Sequence, residues 1–218
     1  MLGQPKVFLP GMPAHVLLRS NGRKACFYNP GDFGFYLACL RKACCQNGCL
    51  VHAYVLMANH IHLLVTPETE RSLPRVIHDV SRRYRQWLGA RRGCKGVLWE
   101  SRYWCSLVDS ADYMLACQLY IEMNPVRSGL VEHPADFQWS SYGAHAGQQR
   151  ISWLSPHRCY LNLGKTGAAR GEAYSKLCPE VANDSAWMTR RILQGLPIGS
   201  DAFCRRLDLM LSVSANQG

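Results

Sequence analysis

Hydrophobic positions recur along this chain with two different periods, and the changes between them mark out its elements. Residues 14–19 (AHVLLR) read as a first strand, the turn-rich NGRKACFYNPGD follows, and residues 32–47 read as a helix. Residues 50–57 (LVHAYVLM) and 60–66 (HIHLLVT) are two runs of strand formers parted by Ala58-Asn59, a hairpin whose turn signal is weaker than Asn-Gly. Side chains alternate across a strand, so His60, His62 and Leu64 share one face while Ile61, Leu63 and Val65 share the other. Residues 72–90 form a second helix, opened by Ser72 with Pro74 in its first turn, whose apolar stripe is Leu73, Val76, Ile77, Val80, Tyr84 and Leu88. The extended GVLWESRYWCSLV returns to the sheet. A third helix, capped by Asp109 or Ser110 with Asp112 in its first turn, runs through YMLACQLYIEMN and ends against Pro125. Beyond Gly143 the composition shifts toward Gly, Ala and Gln, and SWLSPHRCYLNLG, EAYSKLCPEV and SAWMTRRILQGL read as short helices joined by turns. The order of elements predicts an α+β chain, with the sheet in residues 1–142 and a helical extension in 143–218.

Composition narrows the class. A hydrophobic fraction of 48% and a charged fraction of 18% describe a folded protein, since a disordered chain carries more charge and fewer apolar side chains. No apolar stretch reaches the roughly 20 residues that span a bilayer, and MLGQPKVFLPGMP lacks the marks of a secretory signal, so a cytoplasmic location away from membranes is expected. Eleven cysteines then read as free thiols. Cys39, Cys44, Cys45 and Cys49 contain no CxxC pair and read as small buried side chains rather than a zinc site. The absence of GxSxG, HExxH and GxGxxG argues against a protease or an NAD-dependent oxidoreductase.

Charge changes the picture more. The formal net charge is +10, and residues 71–104 contribute +7 of it: nine basic residues (Arg71, Arg75, Arg82, Arg83, Arg85, Arg91, Arg92, Lys95 and Arg102) against Asp79 and Glu100. Planar guanidinium forks suit phosphate oxygens. Trp87, Trp99, Tyr103 and Trp104 are interleaved with them and offer stacking surfaces to unpaired bases, so a nucleic-acid partner is expected.

Candidate chemistry comes from the histidine strand and the third helix. On that helix Tyr113, Cys117, Tyr120 and Asn124 lie along one face, which puts a phenol and a carboxamide one turn apart. If this face meets the strand, His60, His62 and Asn124 supply two nitrogens and one oxygen to a divalent cation beside Tyr120. Mixed imidazole and oxygen ligation suits Mg²⁺ or Mn²⁺, with Zn²⁺ also compatible. A phenol is a weak nucleophile, ionising near pH 10, and a cation that polarises a phosphate offsets that deficit. Tyr84, on an apolar stripe, and Tyr103, in an aromatic-rich strand, are the competing tyrosines.

HAYVLMANHIHLLVTPE and GVLWESRYWCSLVDSADYMLACQLYIEMNPVRSGLVEHPADFQWSSY closely resemble the IS200-like single-tyrosine (HUH) transposase family, in its branch associated with repetitive extragenic palindromes. The resemblance runs from about His15 to Tyr142 with several motifs in preserved order. It implies a ferredoxin-like antiparallel sheet with helices packed on one face, His60 and His62 as metal ligands, Tyr120 as nucleophile and Asn124 as the polar ligand beyond it. It also implies a partner that is single-stranded or hairpin DNA, cut and rejoined through a 5′-phosphotyrosine, by a monomer or homodimer. Where the family usually carries Pro before the asparagine of the histidine motif, this chain has Ala58, a change in a turn. The alternative is a catalytically silent hairpin-binding protein or domesticated regulator, which would keep the arginines of the 75–102 stretch without needing Tyr120.

Overall fold

The structure is a computed structural model that describes residues 9–93, 96–100, 103–110, 113–178 and 186–215. Strands β1 (Ala14–Arg19), β2 (Cys49–Met57), β3 (His60–Pro67) and β4 (Trp104–Leu107) form one antiparallel sheet in the order β2-β3-β1-β4. Helix α1 (Pro30–Asn47) links β1 to β2, and α2 (Ser72–Arg92) links β3 to β4. This is the α+β arrangement that the order of elements predicts, in the ferredoxin-like form that the family resemblance implies.

Local chemistry sets the helix ends. The Asn29 side chain accepts from the Asp32 amide at 3.1 Å, and Pro30 occupies the first turn of α1, where a missing N–H costs nothing. Gly48 ends that helix at φ 61°, and any Cβ there would strike Glu68. The stripe of α2 is buried as its spacing predicts: Leu73, Val76, Ile77, Val80, Tyr84 and Leu88. They pack with α1 against Val16, Leu18, Ile61, Leu63 and Val65 on one face of the sheet. Cys39, Cys44 and Cys49 are buried there too, while Cys45 is exposed.

The opposite face, which carries His62 and Leu64, is covered by α3 (Met114–Glu122) and α8 (Ala186–Gln194). The helix expected to end at Pro125 breaks two residues earlier. It stops at Glu122, and α4 (Asn124–Arg127) begins with Pro125 in its first turn, because proline lacks the N–H that a continuing helix would use. Asp112, expected in the first turn, lies outside the described residues.

The segment after the sheet contains α5 (Tyr142–His145), α6 (Arg158–Leu161), α7 (Gly167–Lys176), α8 and α9 (Asp201–Ala215). It closes both sheet edges. Along β2, Leu56 N donates to Trp139 O at 2.9 Å, Ser141 N to Tyr54 O at 3.0 Å and Ser155 N to Val51 O at 2.8 Å. Along β4, Ile198 N donates to Leu107 O and Asp109 N to Ile198 O, both at 2.8 Å. Open edges are templates for aggregation, and these bonds occupy them.

Two buried polar groups tie the segment down. Glu122, at the end of α3, accepts from Tyr174 OH at 2.7 Å, from His145 Nδ1 at 2.7 Å and from the Ser141 hydroxyl. His52, at a bulge in β2, donates from Nδ1 to Ser155 O at 2.6 Å and accepts at Nε2 from Thr66 Oγ1 at 2.8 Å. Replacing Glu122 by Ala strands three buried donors, and the expected loss is about 3–5 kcal/mol in denaturant unfolding; a loss below about 1 kcal/mol would show that water or repacking replaces the carboxylate.

Burial pushes His52 down to about 4 from the usual 6.5. Between those values the unfolded chain takes up a proton that the folded protein refuses, so stability falls as pH drops through that window. The loss of stability due to His52 between neutral pH and about pH 4.5 is about 2–3 kcal/mol. Denaturant titrations at neutral pH and at about pH 4.5 are therefore expected to show a smaller acid loss in H52Q than in wild type; equal losses assign the acid sensitivity to other groups.

Candidate active site

The register of β1 against β3 builds the floor of the site. Arg19 lies opposite His60, Leu17 opposite His62 and His15 opposite Leu64, so these six side chains share one sheet face. From above, α3 brings Tyr120 and the first turn of α4 brings Asn124 and Arg127. Arg19, His60, His62, Tyr120, Asn124 and Arg127 line one pocket of about 260 Å³. The His60 and His62 ring centroids are 5.2 Å apart, and the His62 and Tyr120 centroids 6.0 Å apart.

The outer nitrogen of His60 has a defined state. Its Nδ1 lies 2.7 Å from Asn59 Oδ1, and Asn59 Nδ2 donates to Arg23 O at 3.1 Å, which fixes the orientation of that amide. His60 Nδ1 therefore carries the hydrogen, and its bare Nε2 faces Asn124 Oδ1 at 3.4 Å. Two lone pairs pointed at one another make a poor hydrogen bond and a good beginning for cation ligation. His62 is buried, with Nδ1 2.8 Å from His15 Nε2.

Electrostatics agree with that use. Burial lowers His60 from its ordinary value; the contact with Asn124 opposes this, while Arg19 and Arg127 add to it. Burial pushes His62 well below its ordinary value, helped by His15, His60 and both arginines, and burial brings His15 down to about 3. Neutral imidazoles are what a cation requires of its ligands. Among the described residues no three His, Cys, Asp or Glu side chains cluster as a metal site. The donor set at this pocket is instead two imidazoles and a carboxamide oxygen, a combination that fits a divalent cation with room for water or phosphate oxygens.

Tyr120 is held from three sides. Its hydroxyl lies 3.0 Å from Thr189 Oγ1 on α8. The Arg127 guanidinium stands 4.0 Å over its ring and donates Nη1 to its carbonyl at 2.7 Å. Sequence reasoning selected none of Arg19, Arg127, Thr189 or His15. Arg127 had a local signal, lying one turn beyond Asn124; the other three reach the pocket through strand pairing or packing across long sequence separations.

The other expected residues fall elsewhere. Tyr84 is in the core, donating to Cys26 O at 2.7 Å. Tyr103 lines a separate pocket of about 270 Å³ with Trp99 and Ser81. Helix α2 packs on the sheet face opposite the histidines, so its arginines do not reach the histidine pocket. Arg75, Arg82, Arg85, Arg91 and Arg92 are exposed and Arg83 is half-buried. Arg91 lies 4.5 Å over Trp87, and Arg92 lies 4.2 Å over Tyr28 and 3.8 Å from the Asp32 carboxylate. Lys95 and Arg102 lie outside the described residues.

A ferredoxin-like sheet that presents alternate histidines to a tyrosine on α3 and an amide on α4 defines an α+β protein whose pocket gathers imidazole, phenol, carboxamide and guanidinium groups. The family model described as "Transposase IS200 like" matches residues 9–124, and the chain belongs to that family. Among solved structures, a REP-associated tyrosine transposase bound to a REP hairpin shares the fold with a TM-score of 0.59 at 15% identity, over 72% of this chain and 99% of that one. A putative transposase from Deinococcus radiodurans aligns over 56% of this chain and 96% of its own, with 20% identity and a TM-score of 0.39. A search of curated protein sequences returned no match. Among the described residues no helix is long and apolar enough to cross a membrane.

Proposed function

We propose that this protein is a divalent-cation-dependent single-stranded DNA transposase that cuts and rejoins DNA beside hairpins. Tyr120 is the nucleophile, and His60, His62 and Asn124 hold Mg²⁺ or Mn²⁺. The observation that carries this reading is the convergence of Tyr120, both imidazoles and the Asn124 amide in one pocket flanked by two guanidinium groups. A divalent cation held there would polarise a phosphate oxygen and offset the charge that develops as the phosphorus is attacked.

The chain's own groups supply the rest. The Tyr120 oxygen attacks phosphorus, the bond from phosphorus to the 3′ oxygen breaks, and the 5′ end stays on the tyrosine as a phosphodiester. The phenol gives up its proton to solvent, and the departing 3′ oxygen takes one up. Arg19 and Arg127 are placed to donate to the non-bridging oxygens. Because the ester on tyrosine conserves the energy of the broken bond, a second 3′ hydroxyl can reclaim the 5′ end by the reverse step. Arg75, Arg82, Arg83, Arg85, Arg91 and Arg92 grip phosphates away from the chemistry, and Lys95 and Arg102 belong to the same DNA-binding set.

Incubation of wild type and Y120F with a 5′-extended single-stranded hairpin and Mg²⁺ or Mn²⁺, followed by intact-mass analysis, tests the assignment. The phenylalanine keeps the ring and loses the hydroxyl, so Y120F is expected to bind the hairpin within about twofold of wild type and to form no adduct. H60A and H62A are expected to keep the nucleophile yet lose most of the adduct rate. An undiminished adduct in Y120F moves the role to another residue; no adduct in any protein under several metals supports a silent DNA-binding protein instead.

Binding has its own expected signature. The protein is expected to prefer a hairpin with an unpaired flank over blunt duplex, with log affinity falling linearly in log salt at a slope of about −0.7 for each single-strand phosphate neutralised. Equal affinity for the two DNAs, or a flat salt response, would contradict it.

A further inference from the structure

We infer that His15, backed by Ser106, is a positioning residue that fixes the His62 ring in the tautomer a cation ligand requires. The inference rests on the reading of His60 and His62 as cation ligands and identifies what prepares the second of them. One hydrogen lies between His15 Nε2 and His62 Nδ1, which are 2.8 Å apart. If His62 donates it, His62 Nε2 is a bare lone pair. If His15 donates it, His62 Nε2 carries its own hydrogen and cannot bind a cation.

One feature favours the first state, and a second accommodates it. The pocket beside His62 is lined by the Arg19 and Arg127 guanidinium groups, which attract a lone pair and repel an N–H. The surroundings of the other His15 nitrogen accommodate that state. With His62 donating, His15 must carry its hydrogen on Nδ1, and that atom is buried without a hydrogen bond. Its cross-strand neighbour on β4 is Ser106, whose hydroxyl is also buried without a partner. Opposed residues in an antiparallel pair have Cβ atoms about 4.5–5.5 Å apart, so a small side-chain rotation lets Ser106 Oγ accept from His15 Nδ1. Two otherwise orphaned groups then satisfy each other, as buried polar groups do. The resulting relay runs from His62 Nδ1–H to His15 Nε2, and from His15 Nδ1–H to Ser106 Oγ. His60 has the corresponding partner in Asn59, whose Oδ1 holds the Nδ1 hydrogen. Each histidine of the pair would thus have its inner nitrogen occupied and its outer nitrogen free.

The ring tautomers can be read in the metal-free protein by long-range ¹H–¹⁵N correlation spectra of ¹⁵N-histidine-labelled wild type, H15L and H15Q. His62 is expected in the Nδ1–H form in wild type. H15L removes the acceptor while keeping the bulk, and it should give a mixed or Nε2–H ring. H15Q puts an amide oxygen within reach of the same hydrogen and should restore the Nδ1–H form. Mn²⁺ affinity, measured by calorimetry on the full chain, is expected to fall about 10–100-fold in H15L and to stay within about tenfold of wild type in H15Q. An Nε2–H ring in wild-type His62, or unchanged tautomer and Mn²⁺ affinity in a folded H15L, overturns the inference. The spectra need no metal, so failure of wild type to bind Mn²⁺ overturns the cation reading of the pocket, while the wild-type tautomer still decides the role of His15.

Discussion

In the pairing of β1 with β3, Arg19 stands opposite His60, Leu17 opposite His62 and His15 opposite Leu64. Side chains alternate, so the same register that gathers these groups sends Ile61, Leu63 and Val65 to the other face, where α1 and α2 bury them completely or nearly so. A slip of one residue would exchange the two sets. It would turn His60 and His62 into the apolar layer under α1 and α2, where each polar ring left without a partner costs about 1–3 kcal/mol, and would drive Ile61, Leu63 and Val65 into the polar pocket. The polar pocket is therefore held in place by packing on the face it does not occupy.

The upper half of the pocket depends on a different constraint. Tyr120 and Glu122 lie two residues apart on α3 and so point in different directions around the helix. Tyr120 looks down on the histidines, while Glu122 is gripped by Ser141 and His145 around α5 and by Tyr174 from α7. Rotating the helix to relieve one would pull the other away from its partners. Thr189 on α8 meets the Tyr120 hydroxyl directly. The segment after residue 142 thus belongs to the architecture of the pocket as well as to the closing of the sheet edges.

How much of this was legible in the chain follows from the range of each interaction. The strands, the alternation of His60 and His62, and the stripe of α2 were readable because period and burial are local properties. The stripe also placed Tyr84 in the core, where it lies. The break before Asn124 is not legible in the same way, because a proline that reads as a helix stop is equally suited to a first turn. His15 and Arg19 sit in a strand whose pattern reads as simple packing, and only the pairing with β3 shows that both face the pocket. Thr189 lies 69 residues from Tyr120 and carries no periodic signal that would connect them. The basic stretch was visible as charge, but a count of arginines has no direction. Their placement across the sheet from the histidines emerges from the topology alone.

That separation bears on the kind of ligand the molecule can use. Two cationic regions lie on opposite faces of a sheet whose β2 and β4 edges are both covered by hydrogen-bonded segments of the chain. A small anion could engage one region at a time. A flexible polyanion can engage both if it passes around the sheet, and Arg19 marks a place where it could, since this residue at the end of β1 lines both the histidine pocket and the pocket of Trp99 and Tyr103. Its guanidinium also rests 4.9 Å from the Trp104 ring. Under the proposed function, the exposed arginines of α2 would contribute long-range, salt-sensitive attraction. Arg19 and Arg127, partly shielded from water beside Tyr120, would act at short range in a lower dielectric, where each donor bond to a phosphate oxygen counts for more. Affinity and chemistry could then be tuned by different residues, because the sheet stands between the groups that supply them.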